Sequence, residues 1–215
     1  MIPMAIGCGS GSVSRQQAKI ELVDPMAHVY RYLFPVMWLS WVGYWLAASR
    51  NVKTTSRRES RYSRLSYVVP LMLAVALLWL PASPIPALGE RFLSVGVWHF
   101  WPGAVLTLGG LLVTVSARVH LGGNWSGTIT LKQDHELITS GPYRFVRHPI
   151  YSGLLLAFIG SALARAEWRD ALAIALAFWA LWRKLRIEEQ WMREQFGIAY
   201  EEYTRRVAAL VPFVL

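Results

Sequence analysis

The stretch from His135 to Gly153 reads HELITSGPYRFVRHPIYSG, a polar, aromatic-rich loop that runs straight into the apolar segment Ile150 to Ala164. The loop ends in Arg147-His148-Pro149, which sets polar chemistry at a membrane surface, and Pro149 suits the first position of a helix, where its missing N–H costs nothing. The unpaired N–H groups of such a first turn attract an anionic group. About 35 residues later the run Arg183-Lys184-Leu185-Arg186-Ile187-Glu188-Glu189 sets cations beside carboxylates. Lys184 and Glu188 are four apart and share one helix face. Each feature also has a plain reading: a solvated ion pair for Lys184 and Glu188, a helix cap for His148, an interfacial anchor for Tyr151. Gly122-Gly123-Asn124-Trp125 reads first as a turn, since glycine permits unusual backbone angles.

The elements that must hold these residues are written in the composition. Hydrophobic residues make up 54% of the 215, charged residues only 16%, and there are 11 tryptophans, which is too apolar for an ordinary soluble domain. Charge-free windows cover Tyr32–Ser49, Leu65–Gly89 and Phe92–Ala117, against the roughly 20 residues needed to span a bilayer. Pro149–Ala164 and Ala171–Trp182 are shorter. Arg165, Arg169, Arg183 and Lys184 are expected to snorkel from their ends, with Trp168 and Trp182 at the interface. The last two segments form a helical hairpin turning at Arg165–Asp170.

The expected fold is all-α: a polytopic membrane protein with about five transmembrane helices, followed by a cytoplasmic C-terminal helical tail. Residues 1–30 read as a flexible leader, 31–120 as three spans, and 121–215 as the loop, hairpin and tail of one membrane domain. Arg50–Arg64, Arg118–His148 and Arg183–Arg206 together hold 16 of the 22 lysines and arginines. The positive-inside rule therefore puts the N-terminus outside and the C-terminus in the cytoplasm. On that assignment the His135–Gly153 loop and the charged tail share the cytoplasmic face, as an active site built from both requires. A prokaryotic inner membrane is the expected location.

The formal charge of +9 is dispersed at helix ends, which suits anionic headgroups and argues against nucleic acid as a partner. One cysteine, Cys8, excludes an internal disulfide and a cysteine-based metal cage, and no metal site is expected. Met1–Asp24 lacks the basic start and long apolar core of a signal peptide, and Gly7–Gly11 lacks the strand and helix that a phosphate-cradling loop needs.

As an ordered set, His135–Ile138, Ser140-Gly141-Pro142-Tyr143, Arg147–Gly153, Glu188-Glu189, Phe196-Gly197, Tyr200, Tyr203 and Val207 resemble the isoprenylcysteine carboxyl methyltransferase family and its phospholipid-methyltransferase relatives. The resemblance covers Gly122 to Phe213. It implies an integral membrane enzyme that uses S-adenosylmethionine, releases S-adenosylhomocysteine, and methylates a lipophilic acceptor, in the first place an isoprenylcysteine carboxylate. A phospholipid amine or a small thiol is the alternative acceptor. Carried over by position, the resemblance implies cofactor contacts at His135, Glu136, Leu137, Ile138, Tyr143, His148, Pro149, Ile150, Tyr151 and Glu188, with Gly153 keeping its helix slim beside the cofactor. The family's substrate-binding arginine falls at Lys184, which keeps a cation and loses the bidentate grip, so Arg183 and Arg186 stand as substitutes. The catalytic residues are left unknown: the acceptor is already charged or readily becomes so, no strong general base is required, and positioning and desolvation supply most of the acceleration. The non-enzyme alternative, a transporter or membrane scaffold, would put polar groups at the bilayer midplane, whereas His99 is the only ionisable residue within the spans.

Overall fold

Long apolar segments become helices because a backbone surrounded by lipid must satisfy its own N–H and C=O groups. The computed structural model describes residues 25–49, 55–79, 85–94, 97–125, 130–132 and 137–214. Among these, the helices are α1 (Pro25–Ala48), α2 (Arg61–Trp79), α3 (Pro86–Gly89), α4 (Val97–Leu121), α5 (Pro149–Arg165), α6 (Trp168–Phe196) and α7 (Ile198–Arg206). Arg61–Trp79 and Trp98–Leu121 are long and apolar enough to cross a membrane, and Pro149–Arg165 is a shorter apolar helix. Leu39, Leu46, Met72, Val105, Leu112 and Phe178 all face outward. An apolar outer surface of this extent belongs against lipid.

The fold is all-α as expected, with one small addition: Thr55–Arg58 (β1) pairs antiparallel with Thr130–Lys132 (β2). These two short polar segments carried no strand signal. The expected leader, residues 1–30, is also too long, because α1 starts at Pro25. Residues 1–24, with Cys8 and Gly7–Gly11, lie outside the described residues. The window Leu65–Gly89 is divided between α2 and the single turn α3, in keeping with the prolines at 81, 84 and 86.

The tightest contact in the fold is the antiparallel seam between α4 and α5. Gly103 and Gly110 on one helix face Gly160 and Gly153 on the other. A Cβ at Gly103 would lie 2.6 Å from the Gly160 carbonyl oxygen, and one at Gly153 would lie 2.6 Å from that of Gly110. Buried hydroxyls line the same seam. Ser161 Oγ donates to the Ala157 carbonyl at 2.9 Å, and Thr107 Oγ1 to that of Gly103 at 2.9 Å. Helix α1 hangs on the seam through two tryptophans, Trp38 Nε1 donating to Ser161 Oγ at 3.1 Å and Trp41 Nε1 to Thr114 Oγ1 at 2.6 Å. Without a hydrophobic force between helices in lipid, such small-residue approaches and hydrogen bonds supply the cohesion.

Helices α5 and α6 form the expected hairpin, turning through Ala166 in the left-handed conformation, φ 58°. Its tip corrects another expectation, since Arg165 and Arg169 do not snorkel but are buried. Arg165 pairs with Asp170, itself fully buried, and its Nη1 donates to the Leu78 carbonyl at 2.7 Å. Arg169 pairs with Glu167. The tip is thereby tied to the end of α2. Ala173, Ala177 and Ala180 of α6, all buried, let α2 lie close along the hairpin. From Trp168 to Phe196, α6 is unbroken and, at 29 residues, about 44 Å long. That exceeds a hydrocarbon layer of about 30 Å, so its distal end carries the charged run clear of the apolar bundle.

The seam yields a prediction with an internal control. Gly160→Leu should force α4 and α5 apart and destabilise the bundle by about 1–3 kcal/mol or more. Gly43→Leu should be nearly neutral, because Gly43 has open space around its Cα. Thermal unfolding of the detergent-solubilised proteins decides, and equal melting temperatures for the two variants would remove the seam from the account.

Candidate active site

The site lies where three segments meet: the loop Ser140–His148 with the first turn of α5, the distal part of α6, and the chain after α7. Pro149 occupies the first helical position of α5 as its sequence requires, with His148 as N-cap residue. The His148 side chain makes no cap hydrogen bond. Instead its ring stacks parallel on Tyr151, with centroids 5.3 Å apart and 3° between planes. Both rings face a pair of carboxylates presented by α6.

Glu188 is the more open of the two. Tyr151 donates its hydroxyl to Glu188 Oε2 at 2.6 Å, His148 Nδ1 lies 3.8 Å from the same oxygen, and Lys184 Nζ lies 3.8 Å from Oε1. The Lys184 and Glu188 side chains are only 14% and 23% exposed, so this is not the solvated pair that the spacing alone suggests. Lys184 Nζ also sits over two aromatic faces, 5.4 Å from the centre of Tyr151 and 5.6 Å from that of Tyr67 on α2. A carboxylate, an ammonium and two stacked rings are therefore gathered within one helical turn of α6 and the opening turn of α5.

Glu189 has a different task. Arg147 Nε donates to its Oε1 at 2.8 Å, with Nη2 at 2.6 Å, and His148 Nε2 is 3.5 Å away. The rest of the Arg147 guanidinium is taken by main chain, Nη1 donating to the carbonyls of Val207 and of Thr204. Val146 pairs parallel with Ala208, the N–H groups of Arg147 and His148 donate to the carbonyls of Ala208 and Ala209 at 2.8 and 3.0 Å, and Ser152 Oγ donates to that of Leu210 at 2.6 Å. The residues after α7 thus form a short strap that closes over the loop. Tyr203 adds to it by donating to the Tyr143 carbonyl at 2.5 Å.

Of the residues expected at the site, Tyr143, His148, Pro149, Ile150, Tyr151, Lys184 and Glu188 converge. Tyr143 and Pro149 are buried beneath it, and Ile150 packs in the apolar cluster of Leu181, Leu185 and Leu210. Leu137 and Ile138 are half-buried in the approach to the loop. Arg183 and Arg186 are exposed on α6. Gly153 is turned to α4, where a Cβ would meet the Gly110 carbonyl oxygen and Thr114. His135 and Glu136 lie outside the described residues. Glu189, its partner Arg147 and Tyr67 also bear on the candidate site, although the first two were given no contact beyond their place in the motif set and Tyr67 none at all. The doublet Glu188-Glu189 was a visible signal for the first, but spacing does not say which carboxylate faces which partner. Gly122–Asn124 is the turn expected of it. Arg118 holds that turn, donating to the carbonyls of Gly122 and Ala48 at 2.7 and 2.6 Å.

Burial alone pushes a carboxyl group upward, but His148 and Arg147 hold Glu189 down from 4.5 to about 2. A depressed carboxylate stabilises the fold above its unfolded value, and that contribution drains away as pH falls toward the folded one. Stability owed to the strap should therefore be complete above about pH 5 and lost between there and pH 2. Glu189→Gln leaves Arg147 buried without its counter-charge, which costs about 3–5 kcal/mol. At neutral pH its melting temperature should fall, and it should drop less on acidification than the wild type; parallel acid profiles would exclude Glu189 as the titrating group.

The profile of the phospholipid methyltransferase family matches residues 98–199. A probable protein-S-isoprenylcysteine O-methyltransferase of Oryza sativa subsp. indica is 32% identical over 172 residues, covering 77% of this chain and 83% of the relative. Protein-S-isoprenylcysteine O-methyltransferase B of Arabidopsis thaliana is 30% identical, covering 54% of this chain and 62% of that protein. The human protein-S-isoprenylcysteine O-methyltransferase is also 30% identical, over 54% of this chain and 45% of that one. The solved structure of a eukaryotic intramembrane Ras methyltransferase, an isoprenylcysteine carboxyl methyltransferase, shares the fold with a TM-score of 0.55 at 22% identity, covering 69% of this chain and 53% of that chain. The chain is an integral membrane protein that belongs to the protein-S-isoprenylcysteine O-methyltransferase family.

Proposed function

We propose that the chain methylates the carboxylate of an isoprenylcysteine-type acceptor with S-adenosylmethionine, at a site on the cytoplasmic surface of the membrane. Membership of the family supplies the reaction class. The observation that carries the assignment to this site is the arrangement of Lys184, Glu188, Tyr151 and His148 where α5 and α6 leave the apolar bundle.

The residues fit both reactants. Glu188 offers a partly open carboxylate to the cofactor's ammonium, with His148, Ile150 and Tyr151 as walls and Tyr143 beneath. His135, Glu136, Leu137 and Ile138 complete the proposed contacts by position. When bound, S-adenosylmethionine supplies an electrophilic methyl group on a sulfonium. Lys184 lies one turn before Glu188 on the side of the bundle, and its charge holds the acceptor's carboxylate. That nucleophile is already ionised at neutral pH, so no general base is required. The protein's contribution is to fix the approach of the two reactants and to exclude water from the gap between them. The phospholipid-methyltransferase profile favours a phospholipid amine as the second reading.

Detergent-solubilised protein given methyl-labelled S-adenosylmethionine and a panel of prenylcysteine, phospholipid and thiol acceptors separates the readings. Turnover of the phospholipid alone would displace the carboxylate. Glu188→Ala should weaken cofactor binding roughly ten- to a hundredfold in calorimetry. Lys184→Ala should raise the acceptor KM or lower kcat with cofactor binding nearly intact, and Lys184→Arg should keep more activity than Ala toward a carboxylate. Identical kinetics in all three would leave Lys184 as an interfacial anchor and pass its role to Arg183 or Arg186.

The reading needs the loop and tail on one face, hence five spans formed by α1, α2, α4, α5 and α6 with the N-terminus outside. The bias of 16 in 22 basic residues supports it. With Cys8 removed, single cysteines at Ser56 and Ser140 should resist an impermeant thiol reagent applied to intact cells, and one at Ser83 should react. The opposite pattern would invert the orientation.

A further inference from the structure

The proposed acceptor cation is a lysine where the family resemblance points to an arginine, and the two differ in kind. A guanidinium is a rigid planar fork, whereas an ammonium is a point charge on a flexible four-carbon stem. Something must hold Lys184 still if it is to orient a nucleophile. The α6 face bearing Ala180, Ile187 and Trp191 is the one that packs against Tyr67 of α2, and Lys184 falls on the same face. Tyr67 is 4% exposed, boxed by Val68, Leu71, Ala180, Ile187 and Trp191. Its hydroxyl is tied to Glu59, the residue after β1. The ring therefore has little freedom, and Lys184 Nζ lies 5.6 Å from its centre, with Tyr151 on another side at 5.4 Å. Both distances are within the reach of a cation–π attraction.

We propose that Tyr67 is a positioning residue for the acceptor: together with Tyr151 it forms an aromatic slot that fixes the Lys184 ammonium where the acceptor's anionic group docks. The two rings do for a lysine what planarity does for an arginine. Tyr151 also binds Glu188 and so belongs to both halves of the site, whereas the hydroxyl of Tyr67 is given to Glu59. Tyr67 sits on α2, outside residues 98–199 that match the phospholipid methyltransferase profile, so the acceptor half of the site draws on a part of the chain that the shared motif does not include. The proposal rests on the acceptor role of Lys184.

The test keeps the shape of residue 67 and varies only the electron density of its ring. Tyr67→Phe retains the face, loses the hydroxyl's tie to Glu59, and is the reference against which the ring's electron density is varied. Phenylalanine trifluorinated on the ring, introduced at the same site in the full-length protein, should raise the acceptor KM by roughly three- to thirtyfold, with cofactor affinity unchanged. In a Lys184→Ala background the same fluorination should do nothing, because the group it acts through is gone. Fluorination should also speed modification of Lys184 by an amine-reactive reagent, read by peptide mass spectrometry without any acceptor present. An acceptor effect that persists in the Lys184→Ala background, or unchanged labelling, overturns the slot. If no acceptor in the panel turns over on the wild type, the function assigned above fails, and the labelling arm still decides whether Tyr67 holds Lys184.

Discussion

Everything at the site depends on how closely α4 and α5 approach. Two carbonyl oxygens occupy the volume that side chains at Gly103 and Gly153 would fill, so the seam exists only because both helices are bare there. Close contact brings Thr107 and Ser161 together and offers α1 two hydrogen-bond acceptors for its tryptophans. It also fixes the height at which α5 begins. Gly141, at φ +60°, abuts the His120 ring at the end of α4, and His120 Nε2 is 2.9 Å from Ser140 Oγ. The loop before α5 is thus propped from below by α4, and its aromatic residues arrive at a set distance from α6.

On that scaffold, adjacent carboxylates are sorted by surroundings into separate duties. Glu189 is drawn into an arginine and a strap of backbone and becomes part of the frame. Glu188, one position earlier and about 100° around the helix, keeps an open side and a lysine neighbour. Such a division gives a fixed frame and a partly open carboxylate from one helical turn. The hairpin's other end shows the same economy: Arg165 and Asp170 neutralise one another where two helices must reverse direction.

Much of this could be seen in the residues themselves, for reasons that are local. Pro149 announced the start of α5, the apolar windows announced the helices, and the four-residue spacing put Lys184 beside Glu188. What escaped was made by contacts distant in sequence. Arg165 and Arg169 looked like snorkelling cations because nothing nearby discloses that Asp170 and the carbonyls ending α2 would receive one of them. Tyr67 belongs to no motif, and its meaning depends on α2 lying against α6. The seam glycines were present at a spacing of seven on both helices, yet spacing does not state which neighbour a bare face is turned toward, and the contact of Gly153 with α4 went unread.

The strap has a consequence for biosynthesis. Arg147 is anchored on the carbonyl of Val207, 60 residues further along the chain, so the loop cannot take its final shape while the ribosome is still making α6 and α7. A nascent chain with all its membrane helices threaded would still lack the last closure. Because Arg147 and His148 pair with Ala208 and Ala209 through main chain, a one-residue insertion before Ala208 would slip those pairings out of step. Competence is conferred late, when the strap finds its register on the loop.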